Sequence, residues 1–144
     1  MKNKLVALAV LAAVAVGVYA WVLLRPGPPV EVRVLATASS ATFVFNGAVE
    51  VYQVTVTATP ISSHASDNAD APAEPVVVWR LVQPEAEDGY EPASLTSITY
   101  GSRRGTGLRP APDIPPNGEP LQPDTAYTFE AQTSAGVARA EFVL

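Results

Sequence analysis

The sequence predicts an all-β fold, seven antiparallel strands packed as a sandwich, preceded by one transmembrane α-helix. Three observations support this. Residues 5–24 carry no charged side chain, the rest of the chain alternates apolar and polar residues in short runs, and prolines and turn-forming residues separate those runs. No segment after residue 29 has apolar residues at helical spacing over three turns. A length of 144 residues fits one domain plus an appendage.

The apolar segment at residues 5–24 has the length of a membrane span. Its twenty residues would rise about 30 Å as a helix, the thickness of the hydrocarbon core of a bilayer. A cleaved signal peptide is the alternative, because Val18-Tyr19-Ala20 resembles a small-residue cleavage site. The apolar run continues to Leu24, however, beyond the usual signal-peptide core of about 7–15 residues. We therefore predict an uncleaved signal anchor.

Charges flanking this segment predict its orientation. Residues 1–4 contain two lysines, whereas a single arginine, Arg25, follows the apolar run. Lysine-rich ends stay in the cytoplasm, so the N-terminus is expected there and residues 30–144 on the periplasmic or extracytoplasmic side. Tyr19 and Trp21 would meet membrane lipid at the headgroup level. The proline-rich spacer at residues 25–29 would hold the domain close to the bilayer.

One face of the predicted helix carries small residues. Ala9, Ala13 and Gly17 are four residues apart, and Ala20 extends the row. Small residues at this spacing let a second transmembrane helix approach closely. The alternative is chance, since an anchor rich in alanine and valine produces such spacings without any partner.

The strands of the domain are predicted from runs with period-two alternation. Asn46-Gly47, a tight-turn dipeptide, is predicted to separate the second strand from the third, and residues 134–136 to connect the last two as a hairpin. The predicted strands are residues 30–34, 42–45, 49–57, 76–82, 95–100, 125–133 and 137–143.

Residues 121–129 carry a sequence resemblance. Leu121, Pro123, Thr125 and Tyr127 resemble the L-x-P-x-T-x-Y stretch of fibronectin type III domains, which share the immunoglobulin-like sandwich. The resemblance implies that the Tyr127 hydroxyl bonds back to nearby backbone as a tyrosine corner, with Leu121 packed beneath it. It also implies that Trp79 is the core tryptophan. The likeness covers residues 76–144 and implies little about function.

Composition excludes several kinds of site. The chain has no cysteine, so a disulfide or thiolate site is excluded. Residues 26–144 hold six arginines and fourteen acidic residues, a net charge of −8 that disfavours nucleic acid as a partner.

No residue pattern indicates an enzyme. The single histidine, His64, lies in the polar segment 60–75 and is interpreted as part of a mobile loop rather than a catalytic triad. Asp67, Asp70 and Glu74 lack the glycine and carboxylate spacing of a calcium loop. We therefore predict no catalytic residue, metal, cofactor or small-molecule substrate.

Three arginines stand out on this acidic domain. Arg103 and Arg104 lie between glycines, and Arg109 follows in the same proline-rich connection. Such a cluster could dock a carboxylate-bearing surface of a partner. The alternative interpretation is an ordinary exposed turn.

Together these features predict a non-catalytic accessory subunit of a larger membrane complex, for example a photosynthetic or respiratory one. Its helix would pack beside other membrane subunits, and its sandwich would dock outside the cytoplasm. The alternative is a free-standing, membrane-tethered module that binds an envelope polymer or an exported protein.

Overall fold

The computed structural model describes residues 2–25, 27–61, 74–84 and 91–144, without the side chains of residues 2–11. Within these ranges the chain forms one helix followed by seven strands. The elements are α1 (Lys2–Leu23), β1 (Val32–Thr37), β2 (Ser40–Pro60), β3 (Val76–Val82), β4 (Ser94–Thr99), β5 (Arg109–Pro110), β6 (Thr125–Thr133) and β7 (Gly136–Val143).

Among the described residues, helix α1 makes no contact with the strands. Its described side chains are exposed except Ala20, which is half-buried. After the last turn, the Arg25 guanidinium lies 3.7 Å from the centre of the Trp21 ring, a cation–π contact. Within the part of the chain that the structure describes, no helix is long and apolar enough to span a membrane.

Strand β2 organises the domain because it pairs with four other strands. Its first half lies between β1 and β4, and its second half lies between β3 and β6. Beyond these neighbours, β5 extends the sheet from β3 and β7 extends it from β6. All pairings are antiparallel. The prediction of an all-β fold with seven antiparallel strands is confirmed.

The boundary predicted at Asn46-Gly47 is wrong. The predicted strands 42–45 and 49–57 are parts of β2, whose register with β4 shifts between Val44 and Val49. A type I′ hairpin needs positive φ at both central residues, and neither Asn46 nor Gly47 has it. The extra residues form a bulge, which bends a strand without ending it. The seventh strand is β5, inside the connection that the sequence left unassigned.

The core is aromatic and apolar. The rings of Phe43, in the first half of β2, and Phe129, in β6, stack with centroids 3.9 Å apart. Phe129 also pairs with Val56 in the second half of β2. Both halves of β2 therefore reach one aromatic centre, which requires the strand to bend. Trp79 and Leu81 of β3 are fully buried in the same cluster.

The C-terminal hairpin matches its prediction. Strands β6 and β7 pair from Ala126 and Val143 to Thr133 and Gly136, which leaves a two-residue loop. Gly136 has φ of +117°, and its carbonyl accepts a 2.6 Å hydrogen bond from the Thr133 hydroxyl. Glycine supplies this conformation without steric cost.

Tyr127 lies at the start of β6 with its hydroxyl on the preceding loop. The Gln122 N–H donates to the Tyr127 hydroxyl at 2.6 Å, and that hydroxyl donates to the Gln122 carbonyl at 3.3 Å. The Tyr127 ring is buried and stacks on Phe142, with Leu121 buried in the same cluster. The Tyr127 hydroxyl thus bonds the backbone five residues upstream, beside buried Leu121.

We expect Tyr127→Phe to lower the free energy of unfolding by about 1–3 kcal/mol, because it leaves a part-buried backbone N–H without its acceptor. Urea titration of the full chain in detergent measures the change. Tyr52→Phe is the control, since the Tyr52 hydroxyl donates to exposed Glu50 at 3.3 Å and should contribute less. Equal losses in the two variants would contradict a tyrosine corner.

Candidate functional site: the arginine turn

Arg103 and Arg104 lie together on a tight turn after β4, residues 101–106, which we call the arginine turn. Its start is fixed by the Ser102 N–H, which donates to the Thr99 carbonyl at 3.0 Å. Its end is fixed by Thr106, whose N–H and hydroxyl donate to the Arg103 carbonyl at 3.2 and 2.8 Å. Both arginines are exposed.

The arginine turn is anchored by buried residues that follow it. Thr106 is almost fully buried, and its hydroxyl accepts a 3.1 Å hydrogen bond from the N–H of buried Leu108. Gly101 and Gly105 have φ of +75° and +71°, a region that other residues rarely adopt. A turn held in this way loses little conformational entropy when its side chains bind a partner.

Arg109 is placed apart from the other two arginines. It lies on β5, paired with Val82 of β3, and is exposed. Gly107 and buried Leu108 lie between it and the arginine turn in the sequence. The structure therefore brings Arg103 and Arg104 onto one turn and puts Arg109 on the neighbouring edge strand.

The arginine turn and the spacer lie at opposite ends of the β1–β2 ladder. Next to the spacer, the N–H of Asn46 donates to the Glu31 carbonyl. At the other end, the Tyr100 N–H donates a hydrogen bond to the Ala41 carbonyl, beside the loop that joins Thr37 to Ser40. The six residues of β1 span about 20 Å at roughly 3.4 Å each. The arginine turn is thus about one strand length from the start of the domain.

The proline-rich connection after the turn covers the edge of β3. The N–H groups of Ala111 and Glu119 donate to the carbonyls of Arg80 and Val78 at 3.1 and 3.0 Å. These bonds and β5 satisfy edge groups that would otherwise be open to another strand. The connection is therefore an ordered cover on the sheet edge.

Tyr100 connects this cover to the core. This role of Tyr100 was not predicted from the sequence. Its hydroxyl donates to the Glu119 carbonyl at 2.6 Å, and its ring lies 5.2 Å from that of Trp79. Burial first, and then the nearby Tyr127 and Glu119 charges, raise the pKa of Tyr100 well above its usual value. The hydroxyl thus stays protonated and remains a donor. A tyrosine at a strand end and a following Asn-Gly pair were the only signals in the sequence.

Gly118 is where the cover meets Tyr100 and Trp79. A Cβ atom at this position would lie 2.7 Å from the Tyr100 hydroxyl and 3.0 Å from Trp79 Cδ1. Gly105 has the same φ, +71°, but nothing lies within 4 Å of its position for a Cβ. Comparing an alanine substitution at Gly118 with one at Gly105 therefore distinguishes the cost of a steric clash from the cost of backbone strain.

We expect Gly118→Ala to destabilise the domain by about 1–3 kcal/mol more than Gly105→Ala. Both variants bear the left-handed backbone strain of about 1–2 kcal/mol, and only Gly118→Ala adds the clash. Urea titration followed by tryptophan fluorescence measures both. Equal losses of unfolding free energy in the two variants would mean that the connection at Gly118 is not packed closely against Tyr100 and Trp79.

The other predicted residues are only partly described. Ala13 and Gly17 are exposed on α1, no atom lies within 4 Å of a Cβ built on Gly17, and the side chain of Ala9 is not described. The predictions for His64, Asp67 and Asp70 concern residues outside the described ones. Among the residues that are described, no three acidic, histidine or cysteine side chains form a cluster that could hold a metal ion.

Comparisons with known proteins add no relative: no family model, no curated protein and no solved structure matches this chain.

Proposed function

We propose that this chain is a non-catalytic accessory subunit of a larger membrane complex. In this proposal α1 is a signal anchor with its N-terminus in the cytoplasm, and the β domain docks on a partner subunit outside the cytoplasm. The domain would be an immunoglobulin-like sandwich of fibronectin type III character. The stacking of Phe43 on Phe129 and the backbone bonds of Tyr127 support that assignment.

The observation that carries the proposal is the exposed apolar helix. Every described side chain from residue 12 to residue 24 is exposed or half-exposed, and none packs on the strands. The sequence continues this apolar character back to Leu5 without a charge. Apolar surface on all sides of a helix, as on the described residues 12–24, requires lipid or other helices to cover it. The Arg25–Trp21 contact at its end suits the headgroup level.

A short connection between helix and domain supports docking close to the membrane. The Asn46 side-chain amide donates to the Pro29 carbonyl at 3.3 Å, and Val30 packs against the core. Only residues 24–28 separate the end of α1 from this tie. A domain held so closely meets neighbouring subunits rather than distant soluble partners.

The arginine turn supports a protein partner over a lipid surface. In the proposed arrangement β1 points away from the bilayer, so the turn lies about 20 Å beyond the spacer, and headgroup attraction falls off within a Debye length of about 8–10 Å. Arginine forks bind carboxylates in a bidentate way, and the surrounding domain is acidic. We therefore propose an acidic patch on a neighbouring subunit as the surface that Arg103 and Arg104 contact.

Cross-linking from single cysteines tests this, because the chain has none of its own. Ser102→Cys, beside the two arginines, is expected to cross-link to one neighbouring subunit in native membranes. Ser134→Cys, in the β6–β7 loop, is the matched control and should not give that product. Adding Arg103→Gln and Arg104→Gln to Ser102→Cys should abolish it. An unchanged product after removal of both arginines would overturn the docking role of the turn.

A further inference from the structure

The outer face of the sheet around β2, β3, β6 and β7 is polar and unusually regular. In β2, outward-facing Gln53, Thr55 and Thr57 alternate with fully buried Val54 and Val56. Because residues paired across antiparallel strands share a face, the strand registers place their partners beside them. The result is a continuous polar surface on the opposite side of the sheet from the core.

One row of side chains crosses this face. Thr55 of β2 pairs with Arg80 of β3 on one side and with Glu130 of β6 on the other, and Glu130 pairs with Arg139 of β7. Neighbouring strands lie about 4.8 Å apart, so three spacings separate Arg80 from Arg139 by about 14 Å. The row therefore presents a cation at each end and a carboxylate between them.

The row lies in a groove of about 530 Å³. The lining residues are hydroxyl, amide and charged side chains with a few apolar ones at the β3 end, and none of them is aromatic. They include Gln53, Thr55, Thr57 and Thr128 beside Arg80 and Glu130.

The charges in the groove are poorly compensated within the domain. Among the described residues, Glu130 has no arginine or lysine nitrogen within 4 Å, and Arg139 pairs only with exposed Glu141 at 3.7 Å. Arg80 is half-buried, and its Nε is buried without a hydrogen-bond partner in the described chain. A partly desolvated guanidinium attracts a carboxylate more strongly than one in open water.

We propose that this groove binds an extended acidic peptide segment of a partner protein. Two carboxylates four residues apart in an extended chain are separated by about 13 Å, which matches the distance between Arg80 and Arg139. The threonine and glutamine side chains can bond peptide N–H and C=O groups between them. A polysaccharide is the weaker fit because the groove offers no aromatic ring on which sugars stack. This site goes beyond the proposed function and does not depend on the anchor or the arginine turn.

Fluorescence anisotropy with the full chain in detergent tests the proposal. The probe is a labelled decapeptide of glycine, serine and glutamine carrying two glutamates four residues apart, and its control has glutamine at both positions. The acidic peptide is expected to bind, and to bind at least about tenfold more tightly than the control, since both end contacts are charge-assisted. No binding of the acidic peptide, or equal binding of the two peptides, would overturn the proposal.

Variants locate the site on the protein. Arg80→Gln and Arg139→Gln should each weaken acidic-peptide binding about tenfold, and Glu130→Gln should strengthen it. Arg33→Gln removes the same kind of charge from an exposed position on β1, outside the groove and the arginine turn, and should leave this binding unchanged at matched ionic strength. If Arg33→Gln weakens binding as much as Arg80→Gln and Arg139→Gln do, or if an oligouronate binds more tightly than the peptide, the groove is not the peptide site. Because Arg139 is exposed, Arg139→Gln should fold normally and still tests the groove if Arg80→Gln unfolds the domain.

Discussion

Val14→Arg is expected to release the full-length chain from membranes. Val14 is exposed and lies near the middle of the apolar run at residues 5–24. An arginine at the centre of a membrane helix costs about 2.5–3.5 kcal/mol of insertion free energy, which lowers the equilibrium constant for insertion by roughly 70- to 400-fold. Val14→Leu keeps the apolar surface and should remain inserted.

Alkaline carbonate extraction of membranes that express each variant measures this effect. The original chain and Val14→Leu should stay in the membrane pellet, and Val14→Arg should move largely to the supernatant. Release of all three proteins into the supernatant would show that α1 is not inserted, and retention of all three in the pellet would show that residue 14 does not lie in the membrane core. Either result would contradict the anchor proposal.

Phe129→Ala is expected to lower the free energy of unfolding by about 3–5 kcal/mol. Phe129 is fully buried, stacks on Phe43 at 3.9 Å and lies 6.3 Å from Phe45. Its removal leaves a cavity where both halves of β2 converge. Because small domains are stable by only about 5–15 kcal/mol, this one truncation removes a large share of the total.

Val137→Ala on β7 is the matched control, since Val137 is exposed and should cost less than about 0.5 kcal/mol. Urea titration of both variants, followed by the fluorescence of buried Trp79, provides the comparison. A Trp21→Phe background removes the second tryptophan. A loss below about 1 kcal/mol for Phe129→Ala would mean that the two halves of β2 do not share one core.

Period-two alternation predicted most of the strands, because each has one buried face. Strand β3 (Val76–Val82) and strand β6 (Thr125–Thr133) have the predicted bounds. In β6 the residues alternate between buried and half-exposed along nearly the whole strand. Where a strand buries only one face, the alternation of apolar and polar residues in its own sequence is enough to predict it.

The bend in β2 was not predictable from local residues. Asn46-Gly47 has the composition of a hairpin turn, but Asn46 donates its amide to Pro29 and its backbone N–H to Glu31. These partners lie outside the segment, so tertiary contacts decided between turn and bulge. The short strand β5 was missed for a similar reason, since Arg109 and Pro110 pair with Val82 and Leu81.

The candidate sites show the same limit. The exposure of Arg103 and Arg104 between glycines could be predicted from the sequence, whereas the support from buried Thr106 could not. The row in the groove depends on register, because Arg80, Glu130 and Arg139 come together only through strand pairing. Registers are set by contacts distant in sequence, and no local pattern specifies them.

The size and composition of the protein extracted gently from native membranes test the central claim most directly. On a native gel in mild detergent, the full-length chain should migrate in a complex far larger than its own 15.1 kDa, together with other membrane subunits. The same subunits should co-purify through a tag on the chain. A single chain migrating alone, with no co-purifying subunit, would contradict the proposal that it is an accessory subunit.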